Sequence, residues 1–173
     1  MKEEALRCIL TRRSVRDYEP RQITEEALDA VLQAGLYAPC GQGSQLVYLV
    51  AVRDKKVRDQ LSAMNQAILG GSSDPYYGAP AIVVVLADPV RYTWVEDGSC
   101  ALTAMMEAAH AVGLGSCWIH RARQMFDSAE GKALLQQWGL PETLRGVGSL
   151  ALGYAAKEPP APAVRKPGRV VKI

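Results

Sequence analysis

The chain has 173 residues, 49% of them hydrophobic and 22% charged, which is the balance of one globular domain and not of a disordered segment. Its net charge of +2 hides a division: residues 1–21 carry +2 and residues 157–173 carry +4, while residues 22–156 carry −4. Two basic ends around an acidic middle argue against a nucleic-acid surface, which needs basic charge spread over a face or groove. No apolar run approaches the roughly 20 residues that span a bilayer.

The elements follow in chain order. Ala5, Leu6, Ile9 and Leu10 sit at helical spacing within residues 3–10, and polar Thr11-Arg12-Arg13-Ser14 follows. Thr24 reads as the cap of a second helix, with Glu25 and Glu26 in its first turn and Ile23 and Leu28 at the hydrophobic staple positions. Leu28, Val31, Leu32 and Leu36 form its apolar stripe. The unbroken run 46–52 predicts a strand buried on both faces. Asp54 caps a third helix whose stripe is Val57, Leu61, Met64 and Ile68, ending at Gly70-Gly71. Residues 81–87 predict a second buried strand.

The most apolar helix is expected over 97–112, interrupted only by Glu107 and His110, with Gly113 as its C-terminal glycine. Residues 116–119 predict a short strand. Asp127-Ser128-Ala129-Glu130 resembles a capping box opening a helix through Leu134, Leu135 and Trp138 to Gly139. A last strand is expected over 147–152. Pro159, Pro160, Pro162 and Pro167 keep the tail extended. The expected class is α+β, with a sheet packed around a central apolar helix.

Four cysteines, at 8, 40, 100 and 117, make no CxxC pair, and His110 and His120 form no HExxH pattern. No metal site is expected. Scattered thiols and an acid-containing start without a long apolar core predict the cytoplasm. Arg12, Arg13, Ser14 and Arg16 suit a phosphate, because guanidinium groups bind its oxygens in bidentate fashion and a hydroxyl adds a hydrogen bond. The plain alternative is a solvated helix end. Pro39-Cys40-Gly41-Gln42-Gly43-Ser44-Gln45 is small enough for backbone amides to approach a flat ring, or else is only a loop. Gly113-Leu114-Gly115-Ser116-Cys117-Trp118 reads by itself as a cap and a core Trp. Cys40 and Cys117 would need an activating base to act as nucleophiles.

Taken together and in order, these segments resemble the FMN-dependent nitroreductase family over essentially the whole chain. The matching stations are Arg-Arg-Ser-Val-Arg-Asp-Tyr at 12–18, Ala-Pro-Cys-Gly-Gln-Gly-Ser-Gln at 38–45 and Tyr-Gly-Ala-Pro at 77–80. Gly-Leu-Gly-Ser-Cys-Trp-Ile at 113–119, Leu-Ala-Leu-Gly-Tyr at 150–154 and Arg-Lys-Pro at 165–167 complete them. The helix after Trp118, ending in Asp-Ser-Ala-Glu-Gly-Lys at 127–132, is similar to a short subgroup of the family.

The resemblance implies a three-layer α+β fold with a mixed or antiparallel sheet, an intertwined homodimer, FMN as cofactor and NADH or NADPH as co-substrate. It implies a flavin-binding domain over 1–156 and a tail over 157–173 that wraps the partner. Arg12, Arg13, Ser14 and Arg16, with Arg165 and Lys166, would hold the FMN phosphate and ribityl end. Pro39, Cys40, Gly41 and Gln45 would line the ring from the partner subunit, and Trp118 and Ile119 would cover it. The flavin would carry the chemistry, with hydride passing from NAD(P)H to a nitroaromatic, quinone or similar acceptor. No catalytic side chain is required.

This chain departs from the family pattern at Gly43, where Asn is common, and at Leu46-Val47, where Pro-Trp is frequent. It departs again at His120, where Gly is frequent, followed by Arg121 and Arg123, whose side chains could crowd the ring. Were they to do so, a flavin-storing or sensing protein with little turnover is the alternative. A plain interaction domain with a basic tail is the remaining one.

Overall fold

The computed structural model describes residues 2–173. Ten elements run in the order α1 (Lys2–Thr11), α2 (Glu25–Leu36), β1 (Val47–Val52), α3 (Lys55–Leu69), β2 (Ala81–Ala87), α4 (Trp94–Ala111), β3 (Gly115–Ile119), α5 (Ala122–Asp127), α6 (Ala129–Gln137) and β4 (Arg145–Gly153). The four strands form one antiparallel sheet in the order β1-β2-β4-β3.

Strand β2 is buried throughout, and its alternation divides the core. Ile82, Val84 and Leu86 face α3, α5 and α6, where Leu61, Met125, Phe126 and Leu135 are buried. Val83, Val85 and Ala87 face α2 and α4, where Leu28, Val31, Leu102 and Met105 are buried. Helices on both faces of one sheet make the three-layer α+β fold that the resemblance implied, with the sheet purely antiparallel.

The local signals act as expected at two helix starts. Thr24 Oγ1 accepts from the Ala27 N–H at 3.2 Å, and Asp54 Oδ1 accepts from Lys56 and Val57. Elsewhere the structure corrects the expectation. Strand β1 is half-buried and not buried on both faces, because it lies at a sheet edge. Helix α4 begins at Trp94, three residues early, with Glu96 and Asp97 in its first turn. The cap of α6 is Ser128 alone, whose hydroxyl accepts from the Gly131 N–H at 3.1 Å. Asp127 instead ends α5, a separate short helix, and its carboxylate pairs with Arg145.

Two close approaches lock α4 and α5 onto β4. A Cβ at Gly98 would lie 2.5 Å from Val147 Cγ2, and one at Gly146 would lie 2.2 Å from the Ala122 carbonyl oxygen. The β2–β4 register slips between Val85 and Leu86, so Val147 is the extra residue that bulges toward α4.

The loop from α3 to β2 is held by one carboxylate. Burial alone would raise the Asp74 carboxyl, but hydrogen bonds from Ser62 Oγ (2.6 Å), Arg58 and the amides of Tyr76 and Gly78 outweigh it and hold it below the usual range. A depressed carboxyl stabilises the fold above its unfolded value, about pH 3.9, and that contribution is lost as pH falls through the lower folded value. Denaturant midpoints from pH 7 down to about 3 should therefore fall more steeply in the wild type than in Asp74→Asn.

Candidate functional site

After α1 the chain runs extended beside the start of β3. Ser14 bridges Ser116 in parallel, and the Val15 N–H donates to the Ser116 carbonyl at 3.0 Å. Val15 is buried against Gly115, where a Cβ would lie 2.7 Å from Val15 Cγ2. The backbone that carries the arginines is thus fixed. Arg12 reaches α4 and pairs with Glu107, Nε to Oε1 at 3.5 Å. Its Nη1 and the Glu107 Oε2 are both buried without a partner. Arg16 is exposed, with its guanidinium 6.0 Å from the Tyr77 ring centroid. Ser14, Val15, Arg16 and Asp17 line a cleft of about 270 Å³ whose other wall is Lys157–Pro160, the start of the tail.

Arg13 turns the other way. Its Nη1 donates to the carbonyls of Leu10 (3.1 Å) and Arg12, closing the end of α1. Beneath the station lies Cys117, whose thiol is pushed up by burial against the opposing pull of Arg16, Ser14 and Arg12. A thiol so placed stays protonated and is no nucleophile.

The second station is the loop 38–45 between α2 and β1. It contains a single 3-10 turn at Gly41–Gly43 and left-handed backbone at Gln42 (φ 55°), Gly43 (φ 64°) and Gln45 (φ 51°). The Gln45 N–H donates to Cys40 Sγ at 3.3 Å, and the Gly41 N–H donates to Asp97 Oδ1 of α4 at 2.9 Å. Pro39, Cys40 and Gln45 line an open cavity of about 650 Å³ together with Tyr37 and Gly43. Ser44 Oγ is buried here with no partner. Asp97 and Ser44 are the residues that motif reading missed, and only the loop's position beside α4 reveals them.

Trp118 lies on the α4 side of the sheet, packed against Gly148, where a Cβ would come within 2.7 Å of its Nε1. Ile119 is buried on the other side with Phe126, so its side chain belongs to the core and only its backbone is left to approach a ligand. Arg165 and Lys166 are exposed in the extended tail.

Arg121 and Arg123, two of the residues after Ile119, are each held by a partner on a neighbouring helix. Arg121 turns inward, its Nε donating to Asn65 Oδ1 at 2.9 Å, and Arg123 stacks over Trp94 at 4.7 Å. Among the described residues no group of three or more His, Cys, Asp or Glu could hold a metal ion. No described helix is long and apolar enough to cross a membrane.

The two stations hang from one helix. Glu107 meets Arg12 and Asp97 meets Gly41, ten residues apart on α4, which separates them by about 15 Å along its axis.

This fold, with these stations, is that of the nitroreductases. A model of the nitroreductase family matches residues 9–154, and the chain belongs to that family. A protein of Archaeoglobus fulgidus with the provisional name NADH dehydrogenase/NAD(P)H nitroreductase is 36% identical over 164 residues, covering 90% of this chain and 88% of its own. An NADPH-flavin oxidoreductase of Vibrio harveyi is 31% identical over 87% of this chain and 65% of its own length. Among solved structures, a nitroreductase with bound FMN from Bacteroides fragilis matches with a TM-score of 0.91 at 31% identity, covering 98% of each chain. Another with bound FMN, from Desulfitobacterium hafniense, has a TM-score of 0.89 at 26% identity over 100% of each chain.

Proposed function

We propose that this chain is an FMN-dependent oxidoreductase. It takes hydride from NADH or NADPH and, in a second half-reaction at the same site, reduces a nitroaromatic, quinone or similar small acceptor. The observation that carries this reading is where the unpaired polar atoms fall. Among the described residues the buried side-chain polar atoms without a partner are Arg12 Nη1, Glu107 Oε2 and Ser44 Oγ. Arg12 and Ser44 belong to the two stations, and Glu107 is the partner of Arg12. Buried polar atoms are costly when unpaired, so their falling at the two stations supports a ligand with a phosphate for one and hydrogen-bonding groups for the other. FMN has that chemistry.

Arg12, Ser14 and Arg16 would hold the phosphate, with Arg165 and Lys166 brought in by the tail. Arg13 would contribute by holding the end of α1 and not by contact. Trp118 would flank the ring from one chain, and Pro39, Cys40, Gly41, Ser44 and Gln45 would line it from the partner. When bound, FMN supplies a ring that accepts and releases a hydride at N5. The residues around it position that ring and place amides and cationic groups near it. The open cavity at 37–45 gives a nicotinamide or flat acceptor room to stack.

The proposed assembly is a homodimer in which residues 1–156 form the flavin-binding domain and residues 157–173 wrap the partner. It is supported by the separation of the stations and by apolar side chains left open on the single chain. Leu6, Ile9 and Leu10 of α1, Leu36 and Tyr37 at the end of α2, and Val164, Val170, Val171 and Ile173 of the tail are all exposed. Four unbridged cysteines suit a reducing compartment, and the cytoplasm is the proposed one.

Purified protein, reconstituted with FMN and mixed anaerobically with NADH or NADPH, should lose its yellow colour rapidly and regain it on adding a quinone. Protein that stays colourless after FMN addition and desalting overturns flavin binding. Yellow protein that neither nucleotide bleaches is a storage or sensing protein. The inward turn of Arg121 and the stacking of Arg123 favour turnover, because both side chains are held by other partners.

A further inference from the structure

We propose that Asp97 is the positioning residue that holds the ring-lining loop in its flavin-accepting shape. This rests on the flavin reading above and deepens it.

The loop Pro39–Gln45 has little of its own to hold it. Its internal hydrogen bonds run from the Gly43 N–H to the Cys40 carbonyl (3.2 Å), from the Ser44 N–H to the Gly41 carbonyl (3.1 Å) and from the Gln45 N–H to Cys40 Sγ (3.3 Å). Three consecutive or near-consecutive residues adopt left-handed backbone, and two of them, Gln42 and Gln45, carry side chains that disfavour it. Such a shape persists only when something outside the loop imposes it. Among the described residues, the hydrogen bond from the Gly41 N–H to Asp97 Oδ1 at 2.9 Å is the one that ties residues 39–45 to the rest of the chain.

Asp97 is built for that role. It is 6% exposed, on the first turn of α4, where the amide dipoles favour a carboxylate. Its second oxygen accepts from Thr93 Oγ1 at 3.2 Å. Thr93 stands at the N-cap position of α4 but makes no side-chain cap, so its hydroxyl serves the carboxylate instead. The contact is close: a Cβ at Gly41 would lie 2.4 Å from Thr93 Oγ1. Both carboxylate oxygens are therefore engaged, one by the loop and one by the residue that aims it. Asp97 needs no contact with the ring to act, since it works through Gly41.

Four proteins test this: wild type, Asp97→Leu, Asp97→Asn and Thr93→Val. Asparagine keeps an acceptor for the Gly41 N–H, and leucine removes it. Apo-protein is first followed by hydrogen exchange, which reads the loop without flavin, and is then titrated with FMN by fluorescence. Exchange at Gly41 and its loop neighbours should rise in Asp97→Leu and remain near wild type in Asp97→Asn. FMN affinity should fall about tenfold or more in Asp97→Leu, the scale of one charge-assisted hydrogen bond, and stay within about threefold in Asp97→Asn. If Asp97→Leu fails to fold, Thr93→Val decides, with several-fold weaker FMN binding expected.

Unchanged loop exchange in the removing variants overturns the proposal. So does raised exchange with unaltered FMN affinity, or a loss in Asp97→Asn equal to that in Asp97→Leu, which would make the charge and not the tether responsible. Wild type that binds no FMN overturns the flavin reading instead, and the exchange result then stands for the tether alone.

Discussion

Protein carrying Arg12→Ala together with Arg16→Ala should leave purification nearly colourless, with FMN affinity about a hundredfold or more below wild type. Each charge-assisted hydrogen bond to phosphate contributes about 1.5–3 kcal/mol, and each 1.4 kcal/mol is tenfold in affinity. Two such bonds lost from a dry site would exceed a hundredfold, but Arg16 stands in solvent and its share is correspondingly reduced. Arg12 contributes the larger part, because its Nη1 is buried with no protein partner to release before binding. Removing Arg12 also leaves the Glu107 carboxylate facing the same space, and its charge would repel phosphate. Glu107→Gln in the double variant separates the two effects: it should restore part of the affinity only if that repulsion matters. Wild-type FMN retention in the double variant would sink the phosphate assignment.

The second large effect is on stability. Gly146→Ala should lower the melting temperature by roughly 6–12 °C, corresponding to about 3 kcal/mol in a chain of this length. The added methyl would meet the Ala122 carbonyl oxygen at 2.2 Å and the Ala122 carbonyl carbon at 2.3 Å. Those are backbone atoms at the start of α5, so no side chain can swing aside. Relief requires α5 to lift from β4 or the bulge at Val147 to shift. Calorimetry on the two proteins decides, and a change under about 1 kcal/mol would show that α5 moves more freely than its buried Met125 and Phe126 imply.

What was legible in the sequence divides along a physical line. Helices α2 and α3 declare themselves through Thr24 and Asp54, because a cap bonds to residues two or three positions away. The burial of β1 did not, because an apolar run does not say whether its strand lies in the middle or at the edge of a sheet. A helix after Trp118 is expected from the resemblance, but the break at Ser128 that makes α5 a separate six-residue helix is not, because α5 starts from a left-handed Arg121 with no side-chain cap. The three arginines at 12, 13 and 16 read alike, yet in the fold Arg13 turns to the carbonyls of α1, Arg12 pairs with Glu107 on α4 and only Arg16 lines the cleft. In the sequence Asp97 is an acid at the expected start of a helix, with no motif around it. Its tie to Gly41 spans 56 positions, and only folding brings the pair together. The family resemblance points to both stations, and the homodimer it implies would bring them together from two chains.

Helix α4 also acts as a ruler. With Asp97 tethering one station and Glu107 the other, the interval between them is read out in helical turns and cannot be tuned continuously. One residue inserted between these anchors would turn Glu107 by about 100° relative to Asp97 and away from Arg12. Only a change close to a whole turn keeps both facing the same way, and it displaces one by about 5.4 Å. The length of α4 between the two acids is therefore quantised in turns if both pairings are to be kept.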